Sequence, residues 1–224
     1  MLKQVRQGTV LPAQFKHIWG SRVFAIVEAA GWPIWLLIVA SVVAVALITE
    51  RLAFLRNKNV APVGLLDETV QELKKRGVSD AMLSRLAEDS PLGRVFAAGL
   101  KNVKSSPEVM KDSIEEAGRA AAHELERFLT TLGTVATISP LLGLFGTVVG
   151  MIEIFGAQTA VGNTPAVLAH GISVALYNTA FGLIVAVPSM IFYRHFRAKV
   201  DSLIIEMEQQ AIKLVEIMHG TRRG

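Results

Sequence analysis

The 224-residue sequence contains no cysteine. That excludes a disulfide framework and a thiolate metal site. Its five histidines show no ligand spacing, so zinc chemistry is not expected, and no set of base, nucleophile or metal ligands of the kind an enzyme would need is found. Strand-like alternation, internal repeats and low-complexity tracts are missing as well. The net charge is +4, but the basic residues are interspersed with acids and are not grouped around stacking aromatics, so the sequence does not read as a nucleic-acid binder. No cofactor is expected.

What the sequence has in excess is hydrocarbon. Hydrophobic residues make up 51% of the chain, the mean hydropathy is +0.43, and three apolar runs are too long for the core of a soluble domain this size. Such a composition reads as an all-α integral membrane protein. The first run, "AAGWPIWLLIVASVVAVALITERLAFL", has an uncharged part, Ala29 to Thr49, of about the 20 residues that cross a bilayer. It is too long, and lacks the small-x-small site, for a cleavable signal. The second, Phe128 to Phe155, carries Glu153 as its only charge. The third, Pro165 to Tyr193, has no full charge.

Basic residues near the runs set the topology. Arg51, Arg56 and Lys58 follow the first, Arg127 precedes the second, and Arg194, Arg197 and Lys199 follow the third. Lys3, Arg6, Lys16 and Arg22 vote the other way. The majority places 1–22 as an external or interfacial N-terminal segment, 23–50 as the first span and 51–127 as a cytoplasmic helical domain. The second span is then 128–155, a short external loop 156–164, the third span 165–193 and a cytoplasmic C-terminal helix 194–224. The stretch "FKHIWGSRVFAIVEAAGW" is expected to lie along the outer interface as an amphipathic helix.

In the middle domain, Ser106 reads as a helix cap with Pro107 at the first helical position and Glu108 beside the positive end of the dipole. From there the pattern runs into the second span with no breaker. Near the C-terminus, Ile204, Met207, Ala211, Leu214 and Met218 form one apolar stripe. It needs a partner, either the chain's own middle domain or another copy.

Within the spans the small residues are periodic. Gly133, Ala136, Pro140, Gly143, Thr147 and Gly150 fall on one face of the second, and Gly171, Ala175, Thr179, Gly182, Ala186 and Ser189 on one face of the third. One such face reads as close helix packing of the small-xxx-small kind, as at Gly146 and Gly150, with the threonines bonded to their own backbone, and two matched faces weaken that reading. Glu153 is rotated about a third of a turn from Thr147 and lies about 9 Å further along the helix, so the two belong to different sites. His170 is at a depth similar to that of Glu153, which makes a contact between them an expectation to test. Pro140 and Pro188 are expected to flex or kink their helices.

"LGTVATISPLLGLFGTVVGMI", Leu132 to Ile152, followed by "GISVALYNTAFGLIVAVPSMIFYRHF", Gly171 to Phe196, resembles the paired signature of the ExbB/TolQ family, distant relatives of the flagellar stator MotA. "GWPIWLLIVASVVAVALITERL", Gly31 to Leu52, is similar to that family's first span. The ExbB pattern is the nearer of the two. The resemblance implies a homopentamer around a central pore in the bacterial inner membrane, holding the helices of a single-span ExbD/TolR-like partner with an intramembrane aspartate. A TonB-like protein would carry the work to outer-membrane transporters. In that setting Thr147 and Thr179 become two rings of hydroxyls, with Asn178 and Glu153 as further ion-pathway groups. Gly143, Gly146, Gly150, Ala175, Gly182 and Ala186 line the pore or pack the helices. The transported ion would be H+, with Na+ the alternative. One position departs from the family pattern: Val174 stands where glutamate is common, so a proton path through that carboxylate is closed.

Overall fold

The computed structural model describes residues 30–156 and 165–220, together with Val27. Among these residues every regular element is helical. In chain order they are α1 (Ile34–Phe54), α2 (Asn57–Val60), α3 (Leu65–Arg76), α4 (Asp80–Asp89), α5 (Pro91–Lys101), α6 (Pro107–Glu126), α7 (Leu129–Gly156) and α8 (Pro165–Met218). Three helical stretches, in α1, α7 and α8, are long and apolar enough to cross a membrane. Most of the expected interfacial helix and nearly all of the expected external loop lie outside the described residues.

The chain forms two compact units, one made of Met1–Ser41 with Thr137–Ala186 and the other of Val42–Ala136 with Val187–Gly224. In the first, Ile34 and Leu37 are buried, while Val39, Leu141, Leu144 and Ile184 are largely exposed. A surface of that composition is stable only against lipid or another apolar surface.

The second unit has a core of its own. Leu92, Phe96, Leu100, Met110, Leu125 and Leu132 are fully buried together with Phe196, Leu203 and Leu214. Three of its helices, α4, α5 and α6, start where the sequence supplies a serine cap. Ser79 accepts from the Met82 amide at 3.3 Å, Ser90 from the Gly93 amide at 3.1 Å, and Ser106 from the Val109 amide at 3.5 Å. Pro91 and Pro107 occupy the positions just after two of these caps, where no amide hydrogen is needed. α3 ends on Gly77, whose φ of +71° suits glycine. Ion pairs Arg85–Glu72 and Arg94–Glu124 tie neighbouring helices on the outside.

Of the two partners open to the C-terminal stripe, the structure shows the chain's own middle domain. Met207, Ala211 and Leu214 are buried in that core, and Ile204 and Met218 pack on it. No boundary separates a third span from a C-terminal helix, because α8 is continuous from Pro165 to Met218. Pro140 and Pro188 lie inside their helices without ending them.

One expectation is corrected. The segment from Ser106 does not run unbroken into the second span: α6 stops at Glu126, Arg127 is extended (φ −50°, ψ 138°), and Phe128 has a φ of +65° before α7 begins. Nothing in the residues Glu126-Arg127-Phe128-Leu129 announces the break, since the left-handed position holds phenylalanine where glycine would be the usual sign.

Candidate functional site

The site lies in the first unit, where the small faces of α7 and α8 meet. Glycine permits the approach. A methyl group on Gly143 would lie 2.7 Å from the Asn178 carbonyl oxygen and 3.0 Å from the Thr179 Cα, and one on Gly182 would lie 2.6 Å from the Ser139 carbonyl oxygen. These are backbone atoms, so no rotamer change relieves the clash. Gly150 meets Ala175 in the same seam, and Ala175 and Ala186 are buried. Packing of α7 on α8 within one copy therefore accounts for these small residues.

Close backbone approach brings two hydroxyls together. Thr147 Oγ1 and Thr179 Oγ1 are 2.5 Å apart, each half-buried. Thr147 Oγ1 also lies 3.2 Å from the Gly143 carbonyl oxygen one turn earlier and 3.2 Å from the Ala175 carbonyl oxygen across the seam. Thr179 Oγ1 lies 3.4 Å from the Gly143 carbonyl oxygen. Four oxygens thus share two hydroxyl protons. Either Thr179 donates to Thr147, which donates to a carbonyl, or Thr147 donates to Thr179, which donates to Gly143. The two arrangements are the same chain of bonds with opposite polarity. A chain that can invert is what a proton relay requires, and an oxygen-only set is also what a small alkali cation accepts.

The other expected ion-pathway residues do not join this pair. Asn178 is 1% exposed and turns to another side of α8, where Nδ2 donates to the Ala30 carbonyl oxygen at 2.9 Å. A methyl on Gly146 would lie 2.7 Å from its Cγ, so Gly146 is the glycine that admits this side chain. Among the described residues, Asn178 Oδ1 is buried and has no hydrogen-bond partner. Such an orphan in an apolar setting costs on the order of 1–3 kcal/mol. Glu153 is exposed on α7. The side chain of His170, its expected contact, lies outside the described residues. Val174 is half-buried.

Sequence reasoning missed two features of this unit. The Ala30 carbonyl as partner of Asn178 carries no sequence signal. Trp32 stacks edge-on against Phe145, with ring centroids 5.9 Å apart, and the aromatic pair was legible only as two separate apolar residues.

The chain is similar to known proteins over most of its length. The model of the MotA/TolQ/ExbB proton channel family matches residues 87–209. The chain is 33% identical to biopolymer transport protein exbB1 of Vibrio cholerae over 170 residues, covering 73% of this chain and 74% of that protein. It is 35% identical to the Tol-Pal system protein TolQ of Pseudomonas aeruginosa over 143 residues, covering 58% of this chain and 62% of that protein. In fold it is similar to a chain of the flagellar MotAB stator complex from Bacillus subtilis, with a TM-score of 0.61, 19% identity, and coverage of 92% of this chain and 87% of that one.

Proposed function

This chain belongs to the MotA/TolQ/ExbB proton channel family, and we propose that it is the channel-forming subunit of an ion-driven motor in the bacterial inner membrane. The observation that carries the reading is the Thr147–Thr179 hydroxyl pair, with the Gly143 and Ala175 carbonyls as its acceptors. In a homopentamer with α7 and α8 around a central pore, five copies form one ring of paired hydroxyls in an apolar wall, in place of two separate rings. A single-span partner of the ExbD/TolR kind, standing in that pore, supplies the carboxylate that takes up the ion. The hydroxyl pair receives a proton from water on one oxygen and gives its other hydroxyl proton to the partner's carboxylate, the bond polarity inverting as it does so, and both hydroxyls then rotate back with no fixed charge left in hydrocarbon.

The cargo is read as TonB-dependent outer-membrane transport, with a TonB-like protein as the transmitting partner. A TolQ-like role in outer-membrane integrity is the second reading, favoured by the similarity to the Pseudomonas aeruginosa protein. Protons are the proposed ion. Sodium is the alternative, since every ligand in the pair is an uncharged oxygen.

The test is native mass spectrometry of the chain co-expressed with a single-span protein encoded beside it, followed by uptake assays in proton and sodium gradients. Five copies with two partner chains, and uptake abolished by Thr147→Val or Thr179→Val, support the reading. A monomer that ignores the neighbour sinks it and leaves a tightly packed membrane scaffold.

A further inference from the structure

The second unit contains a buried guanidinium placed on the break between α6 and α7. Arg51, in the last turn of α1, is 3% exposed. Its Nε and Nη2 form a bidentate pair with the Glu50 carboxylate at 2.5 and 2.9 Å. Nη1 donates to the Leu125 carbonyl oxygen at 3.2 Å. The guanidinium carbon lies 5.0 Å from the centroid of the Phe54 ring and 5.4 Å from that of Phe128, so both aromatics shield it.

The Leu125 carbonyl is the informative partner. In a continuous helix it would accept the Leu129 amide hydrogen, four residues on. With Arg127 extended and Phe128 at positive φ, that ladder bond is not available, and a buried carbonyl at a helix end must find another donor. Arg51 is that donor, and its charge suits the negative end of the α6 dipole. The same two residues have the φ pattern of a type II turn, which asks for glycine at its third position and here holds phenylalanine. A bulky residue in the left-handed region persists only when its surroundings hold it there.

We propose that Arg127–Phe128 is a two-state joint, held broken by Arg51. In its other state both residues join the helix, Leu125 accepts from Leu129, the strain at Phe128 is released, and α6 and α7 become one uninterrupted helix. Arg51 and the Leu129 amide thus compete for one carbonyl oxygen. The joint gives the first turns of α7 two settings relative to α6, and a bound partner that engages the exposed Glu50 carboxylate selects between them. This inference does not rest on the ion pathway proposed above.

The test uses a feature of the sequence: Arg-Phe occurs as a dipeptide only at positions 127–128. Carbonyl-13C arginine and 15N phenylalanine label a single peptide bond in the full chain in lipid nanodiscs, and the Arg127 carbonyl shift distinguishes extended from helical backbone. The wild-type signal is expected at the extended position, and Arg51→Met is expected to move it downfield to the helical one. Phe128→Ile, read with 15N isoleucine, penalises positive φ and removes one of the two rings over the guanidinium, but keeps Arg51 and its donors to Glu50 and Leu125, and is expected to do the same. Arg127 extended in both variants overturns the joint. A shift with Phe128→Ile alone overturns the role of Arg51. Should Arg51→Met fail to fold, Arg51→Leu, which likewise removes the donor to the Leu125 carbonyl, enters the same comparison with the same criteria.

Discussion

The hydroxyl oxygens of Thr147 and Thr179 lie 2.5 Å apart, and both reach the carbonyl oxygen of Gly143, at 3.2 and 3.4 Å. A single glycine carbonyl on α7 therefore serves hydroxyls from two helices.

Replacing either threonine by valine keeps its shape and leaves the other hydroxyl a carbonyl to bond. The cost in stability is expected to be only about 1 kcal/mol. Ion-coupled transport is expected to fall at least about tenfold, the equivalent of some 1.4 kcal/mol in the rate-limiting barrier, while Thr147→Ser and Thr179→Ser retain it. Proton flux in reconstituted vesicles, set beside thermal melts of the same variants, separates the two effects. Full transport by both valine variants would remove the pair from the pathway.

Gly143→Ala and Gly182→Ala each push a methyl into backbone oxygen, at 2.7 and 2.6 Å. Each is expected to destabilise by about 1–3 kcal/mol. Because they act on one seam, the double variant should cost less than the sum. Gly118→Ala is the opposite case, within α6 and with nothing within 4 Å of the new methyl. It should stabilise by about 0.5–1 kcal/mol. Melting curves in one detergent rank all four.

Asn178→Leu removes the bond to Ala30 and the orphaned Oδ1 together. Loss of one net bond and relief of one unsatisfied oxygen oppose each other, so the change is expected to stay within about 1 kcal/mol, with transport kept. Asn178→Asp places a charge beside the same apolar seam and should destabilise far more. A leucine variant that is stable but inactive would put Asn178 back in the ion path.

At the start of α6 the Glu108 carboxyl is held below the usual carboxylate range, first by its own backbone N–H and then by the Ser106 hydroxyl. With a folded pKa depressed below the unfolded one, its contribution is present above the unfolded value and is lost as pH falls through the folded value. Glu108→Gln should therefore lower the melting temperature near neutrality, and the difference from wild type should close in acid, below the ordinary glutamate range. A constant gap across that range would contradict the cap.

Much of this was legible because it depends only on order along a helix. Hydrocarbon runs long enough for a bilayer mark the spans, Ser106-Pro107-Glu108 marks the start of α6, and the recurrence of Gly143, Thr147, Gly150, Ala175, Thr179 and Gly182 marks two smooth faces. Periodicity states which residues share a face. It does not state what that face meets, so the contact between the small faces of α7 and α8, and the choice between own domain and second copy for the Met207–Ala211–Leu214 stripe, waited on the placement of the helices.

The sequence by itself determined a three-span helical chain of the ExbB/TolQ kind with hydroxyls in apolar surroundings, since bilayer length, hydropathy and the paired signatures are local properties. Only the tertiary structure decided that Thr147 bonds Thr179, that neighbouring Asn178 turns away to the Ala30 carbonyl, and that Phe128 adopts positive φ with Arg51 on the Leu125 carbonyl. Each of these joins atoms distant in the chain or overrides a local preference. The physical reason is common to all three: a buried polar group takes whichever partner the packing of helices brings within reach, and helical spacing does not encode that partner.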